Sequence, residues 1–184
     1  MFLFKRVLFV ILFVKLHHTL FIICLIFSNL LTQEADVVLQ LDLAWEKLKK
    51  SISTGDFTSF KSLYHEDAIL VNGILKNSYP INKAFNGWKQ GFDDTKSGKI
   101  NAYLEIIFTE RLFDEQSAHE SGIFHYYTID NNGHQTDSYV HFESLWVKKN
   151  YKWLMTMEFQ KSKTNKVEWD EFQKNSFIKR KEER

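Results

Sequence analysis

A chain of 184 residues has room for one domain with additions at its ends, and 17 Phe, 7 Tyr and 5 Trp supply enough aromatic surface for a core or a lined cavity. The formal net charge is +1, and the first 32 residues hold three basic side chains (Lys5, Arg6, Lys15) and no acidic one, leaving 21 of the 24 basic residues against all 23 acidic ones. No broad positive field exists to attract nucleic acid, and the single cysteine, Cys24, excludes an intrachain disulfide and a cysteine-built metal site.

Residues 1–32 read as an apolar leader with a basic start at Lys5-Arg6. Lys15, His17 and His18 interrupt its apolar run, which makes it a poor uniform membrane span and a better export signal. The protein is therefore expected to be exported, periplasmic or secreted, with an uncleaved membrane anchor as the alternative. Membrane contact is expected only through this leader. Ile23 stands before Cys24 where lipid attachment needs a small residue, so a lipid anchor does not fit.

Leu39, Leu43, Leu48 and Ile52, with Ala44 and Trp45, recur at helical spacing and predict a helix from about Ala35 to Ser53. Gly55 supplies its stop and Asp56 a cap for the next helix, which holds Phe57, Phe60, Leu63 and Tyr64 and ends at His65-Glu66-Asp67. Ala68 to Val71 reads as a short strand, and Pro80 opens a third helix with Ile81, Ala84, Phe85 and Trp88. From Lys99 the period changes to two. Four strands are expected, over about 99–112, 117–129, 135–148 and 151–162, with turns at Asp114-Glu115, Asn131-Asn132-Gly133 and Lys149-Asn150. Helices followed by an antiparallel meander give an α+β fold, here placed at residues 33–165. Residues 166–184 read as a charged amphipathic tail helix carrying Trp169, Phe172, Phe177 and Ile178.

Four features together resemble the nuclear transport factor 2-like superfamily, in its SnoaL-like and ketosteroid-isomerase-like branch. They are Gly55-Asp56, Leu63-Tyr64 before Asp67-Ala68, Pro80-Ile81 at a helix start, and Leu145-Trp146-Val147-Lys148 before Tyr151-Lys152-Trp153. The resemblance covers residues 36–163 and implies a curved antiparallel sheet wrapped on the N-terminal helices as a cone, with a pocket inside and a dimer as the usual state. It also implies where isomerase chemistry would sit. The base position falls on Asn72, the tyrosine position on Leu48 and the late acid on Glu143. An amide cannot take a proton from carbon and leucine cannot donate to an oxyanion, so steroid-type isomerisation is not expected.

The strands also carry a reading of their own. A hairpin turning at Asn131-Asn132-Gly133 sets His125 near Tyr139 and Ile123 near His141, so that His125, Tyr127, Tyr139, His141 and Glu143 share one sheet face. Two imidazoles and a carboxylate on a concave wall could move protons, which makes His125, His141 and Glu143 the candidate catalytic residues. Trp45, Tyr64, His65, Trp88, Tyr127 and Tyr139 are the candidate pocket residues. A helix-end role is the simpler one for His65, and a core role for the tryptophans. No tight His-x-His spacing supports a metal, and no Gly-rich phosphate loop or nucleophile elbow is present, so neither metal nor cofactor is expected.

Three functions compete. The first is an exported domain binding a small, largely apolar molecule. The second is a cofactor-free lyase or isomerase using the His/Glu set. The third is a homodimeric interaction module with Phe142 and Trp146 on its outer sheet face.

Overall fold

The computed structural model describes residues 33–182, with side chains as far as Asn175. The leader expected at residues 1–32 lies outside the described residues, as do the side chains of Phe177 and Ile178. Among the described residues no helix is long and apolar enough to cross a membrane. Contacts divide the chain into residues 1–39 and residues 40–184, and the architecture below is that of the second unit.

Helix α1 covers residues 33–54, of which 40–54 belong to this unit, and ends at Gly55, whose φ of +66° is the left-handed conformation that glycine adopts without strain. The Asp56 carboxylate then accepts the Ser59 N–H and caps α2, Phe57–Lys61. Strands β1 (Tyr64–Asn72) and β2 (Asn77–Pro80) follow, then helix α3 (Ile81–Lys96), with Pro80 as its N-cap residue. Strands β3 (Ile100–Phe113), β4 (Ser117–Asp130), β5 (Gln135–Lys149) and β6 (Lys152–Thr164) form the expected meander, and helix α4 runs over Lys166–Glu182.

The six strands make one curved, unclosed sheet in the order β2-β1-β6-β5-β4-β3. The β4–β5 register is regular, and His125 faces Tyr139 while Ile123 faces His141, as the position of the turn requires. At the β5–β6 turn Asn150 (φ +51°) and Tyr151 (φ +60°) are both left-handed, the geometry of a two-residue hairpin loop matched to strand twist. One extra residue in one strand bends the sheet at Thr109, at Thr156 and at Lys161. The Thr156 hydroxyl donates to the Leu145 carbonyl beside its own bulge. Gly122 lies across from the first bulge, where any Cβ would collide with the Ile107 carbonyl.

Two local readings need correction. The second helix stops at Lys61, and Tyr64 through Asp67 are the start of β1 rather than a helix end. The cause is long-range pairing: the Met155 N–H donates to the Leu63 carbonyl, and β1 lies parallel to β6, which local propensity cannot register. Strand β2, which the sequence did not signal, is the four residues Asn77-Ser78-Tyr79-Pro80 held by β1.

The core fills the space between the helices and the inner sheet face. Leu41, Trp45 and Leu48 come from α1, Phe60 from α2, and Phe85 and Phe92 from α3. Phe142 and Trp146 are buried there too, with Trp146 edge-on to Trp45 at 5.2 Å, so neither is on the outer face where the interaction reading put them.

Candidate functional site

A cavity of about 430 Å³ opens between the inner sheet face and helices α1 to α3, a size suited to a small organic ligand. Strand alternation decides its wall. Leu104 and Ile106 of β3, Phe124 and Tyr126 of β4, and Ser138 and Val140 of β5 all point into it, and all are even-numbered. From the helical side come Trp45, Phe60, Trp88 and Phe92, with Tyr64 at the start of β1.

Of the residues expected to line a pocket, Trp45, Tyr64 and Trp88 do so, whereas His65, Tyr127 and Tyr139 do not. The candidate catalytic set lies away from the cavity for the same reason as Tyr127 and Tyr139. His125, His141 and Glu143 do share one sheet face, but odd-numbered positions on β4 and β5 point outward. Period-two alternation defines two faces without saying which one the helices cover. On that outer face His125 stacks on Tyr139 at 4.1 Å and on Tyr127 at 4.7 Å, under Trp169 of α4. Its Nε2 meets Asp137 at 2.7 Å. His141 meets Glu168 of α4 at 3.3 Å. The Lys161 ammonium, 2.6 Å from Glu143, and His119 beyond it hold the Glu143 carboxyl below its ordinary range, so this acid is ionised and already paired. The three residues are engaged with different partners, and the outer face reads as the seat of α4.

The positions implied by the isomerase resemblance are likewise dispersed. Leu48 lines the cavity, the Asn72 side-chain oxygen accepts the Leu75 N–H at 2.8 Å, and Glu143 is outside. His65 lies on β1 with Glu66 and Asp67, their ligand-type atoms within 4.8 Å of one another. The Lys149 ammonium sits 3.1 Å from His65 Nε2 and 3.9 Å from Glu66, so a cation there would meet a positive charge already in place.

The cavity's own polar group was not legible from alternation. Glu158 of β6 projects into it, accepting a hydrogen bond from the Tyr64 hydroxyl at 2.7 Å on Oε2 and one from Gln160 Nε2 at 2.8 Å on Oε1. Counting by twos from Trp153 and Met155 would put Glu158 outside. The extra residue at Thr156 reverses the parity and brings Glu158 and Gln160 in. Burial pushes the Glu158 carboxyl above its ordinary range, against the lowering effect of its two hydrogen bonds, and burial with the neighbouring carboxylate drives the Tyr64 phenol well up. The tyrosine therefore stays a neutral donor.

A second polar cluster braces the cavity beneath Trp45. The Trp45 indole N–H donates to Glu120 at 2.6 Å, and Arg111 donates to Glu120 at 2.6 Å and to Asp42 at 2.7 Å. Glu120 is fully buried, and the Arg111 guanidinium rests 4.4 Å from the Phe108 ring. The sequence does not mark this group, because its members come from α1, β3 and β4.

The architecture recurs in solved structures. A conserved protein from Planctomyces limnophilus is 13% identical with a TM-score of 0.57, the match covering 68% of this chain and 94% of that one. An NTF-2 like protein of unknown function from Shewanella oneidensis is 14% identical with a TM-score of 0.52, covering 66% and 96%. A nuclear transport factor 2 (NTF2-like) superfamily protein from Salmonella enterica is 15% identical with a TM-score of 0.52, covering 72% and 96%. Likeness at these identities shows the fold alone. No curated protein matches the chain, and none of the comparisons singles out the SnoaL-like branch. Residues 35–165 match the family model of the calcium/calmodulin dependent protein kinase II association domain, and the chain belongs to that family, within the nuclear transport factor 2-like superfamily.

Proposed function

We propose that the domain binds a small, largely apolar molecule in the inner cavity, with Glu158, Tyr64 and Gln160 as its polar anchor. One observation carries this reading. Gly91, half-buried on α3, lines the cavity, and a Cβ there would meet nothing within 4 Å, whereas Gly87 one turn earlier is exposed to solvent. A glycine inside a helix costs roughly 0.5–1 kcal/mol relative to alanine. Gly91 relieves no close packing contact, so what it maintains is open volume within the cavity, which is useful to a guest and not to the core.

Filling the volume tests the reading. Gly91→Leu is expected to leave the protein folded, with a melting temperature equal to or above that of the wild type, and to abolish uptake of a neutral probe such as 2-(1-naphthyl)ethanol, read by fluorescence titration. Undiminished uptake by the leucine variant would place the guest elsewhere and end this reading.

A second reading follows from the family, whose description names an association domain, and from Tyr103 and Leu145 standing exposed on the outer sheet face. In it two copies pair through that face, beside the α4 seat. Sedimentation velocity across a concentration series is expected to show a dimer that Leu145→Lys dissociates. A species that stays monomeric at the highest concentration removes it.

A further inference from the structure

We infer that the guest is an amine, held by its ammonium group against Glu158 while its apolar part lies among the aromatic rings. This rests on the cavity reading above and specifies the class of ligand.

The argument begins with charge. Among the described residues that line the cavity, Glu158 is the one acidic side chain, and no Lys, Arg or His joins it. Its two hydrogen-bond partners, Tyr64 and Gln160, are both neutral. Glu158 is half-buried, and an ionised carboxylate in an apolar wall without a counter-cation is costly, which its raised carboxyl range reflects. A cation arriving in the cavity would restore the ionised form. Arg111 shows what this fold does elsewhere: the fully buried Glu120 receives a guanidinium at 2.6 Å. Glu158 receives nothing comparable, although it faces open space that could hold a cation.

Hydrogen-bond capacity supports the same conclusion. Each carboxylate oxygen has two acceptor positions. Tyr64 occupies one on Oε2 and Gln160 one on Oε1, which leaves one on each for a donor arriving from the cavity. An ammonium supplies donors and charge together, and charge-assisted bonds are the stronger kind. The surrounding wall suits the rest of such a molecule. Phe60, Trp88, Phe92, Phe124 and Tyr126 present ring surface, which attracts a cation through its quadrupole and an apolar body through burial. A carboxylate ligand would meet Glu158 as a like charge, and a neutral alcohol would leave the charge uncompensated.

Proton linkage gives a signature of its own. Burial raises the Glu158 carboxyl, and a bound ammonium favours its ionised form. The other titratable groups lining the cavity are the phenols of Tyr64 and Tyr126, both raised by burial and neutral across this range. Amine affinity is therefore expected to be highest above the raised carboxyl pKa and to fall as the pH drops through it. A neutral ligand of the same shape has no such slope.

The test uses three probes with one ring system, titrated calorimetrically into the wild-type chain: 2-(1-naphthyl)ethylamine, 2-(1-naphthyl)ethanol and 1-naphthylacetate. The amine is expected to bind about tenfold or more tightly than the alcohol, as one charge-assisted hydrogen bond allows, with the acetate weakest. Glu158→Gln is expected to bring the amine down to the alcohol's level. Should that variant fail to fold, the wild-type pH series decides instead: amine affinity falling with acid against a flat alcohol supports the inference, and parallel curves overturn it. Alcohol binding as tight as amine binding overturns the amine inference while leaving the cavity reading in place. If none of the three binds, the cavity reading fails and takes this inference with it.

Discussion

Arg111→Met is expected to destabilise the domain by about 3–5 kcal/mol, the range found when one partner of a buried ion pair is removed. The guanidinium bridges Glu120, fully buried on β4, and Asp42 on α1, so it joins the sheet to the helix that roofs the cavity. Methionine of similar length retains packing against Phe108 but leaves the Glu120 carboxylate with the Trp45 indole N–H as its remaining side-chain donor. The loss comes mostly from stranding that charge rather than from the attraction itself. The double variant Arg111→Met/Glu120→Gln is therefore expected to recover much of the deficit, since a glutamine oxygen still accepts from Trp45 and no charge is left behind. Urea unfolding with a common m-value reads both. A single variant within 1 kcal/mol of wild type, on the order of an exposed pair, would show that the bridge is solvated in solution.

Trp146→Ala is the other large effect, about 3–5 kcal/mol for truncating a buried tryptophan. Trp146 is 1% exposed, packs its ring against Trp45 and donates from Nε1 to the Ser144 hydroxyl at 3.0 Å. Alanine leaves a void directly behind a cavity wall and takes the indole donor from the Ser144 hydroxyl, which keeps its own bond to the Glu120 carbonyl at 3.5 Å. Two readouts should move together: a lower urea midpoint, and weaker naphthylethanol binding as Trp45 loses its support. Trp146→Phe is expected to fall between wild type and alanine, because it restores ring volume but not the hydrogen bond. Unchanged probe affinity in a destabilised alanine variant would show that the Glu120 bond and the Phe108 and Phe142 rings hold Trp45 without Trp146.

Both expectations concern groups that chain order hides. Asp42, Trp45, Arg111 and Glu120 meet only because α1 crosses the inner sheet face and an extra residue at Thr109 turns Arg111 inward. Glu158 is the same case on β6. A bulge changes which face a side chain occupies and leaves no reliable mark in composition, since threonine is a common strand residue.

The four long strands, by contrast, were legible within about a residue at most ends. Asp114, Asn132-Gly133 and Asn150 mark the tight turns, and between them the side-chain period is regular. Helix α1 and its glycine stop were legible for the same kind of reason. So was Pro80, whose fixed φ suits a helix start.

Local chemistry, then, set the class of this protein: helices first, a meander after, an aromatic-rich interior and the superfamily those features resemble. Which sheet face became the lining was a tertiary decision. Alternation gives every strand two sides of equal standing, and α1 to α3 cover one while α4 settles on the other with Trp169 over His125 and Tyr139. That choice, together with three single-residue bulges, took the histidines out of the cavity and put one uncompensated carboxyl inside it.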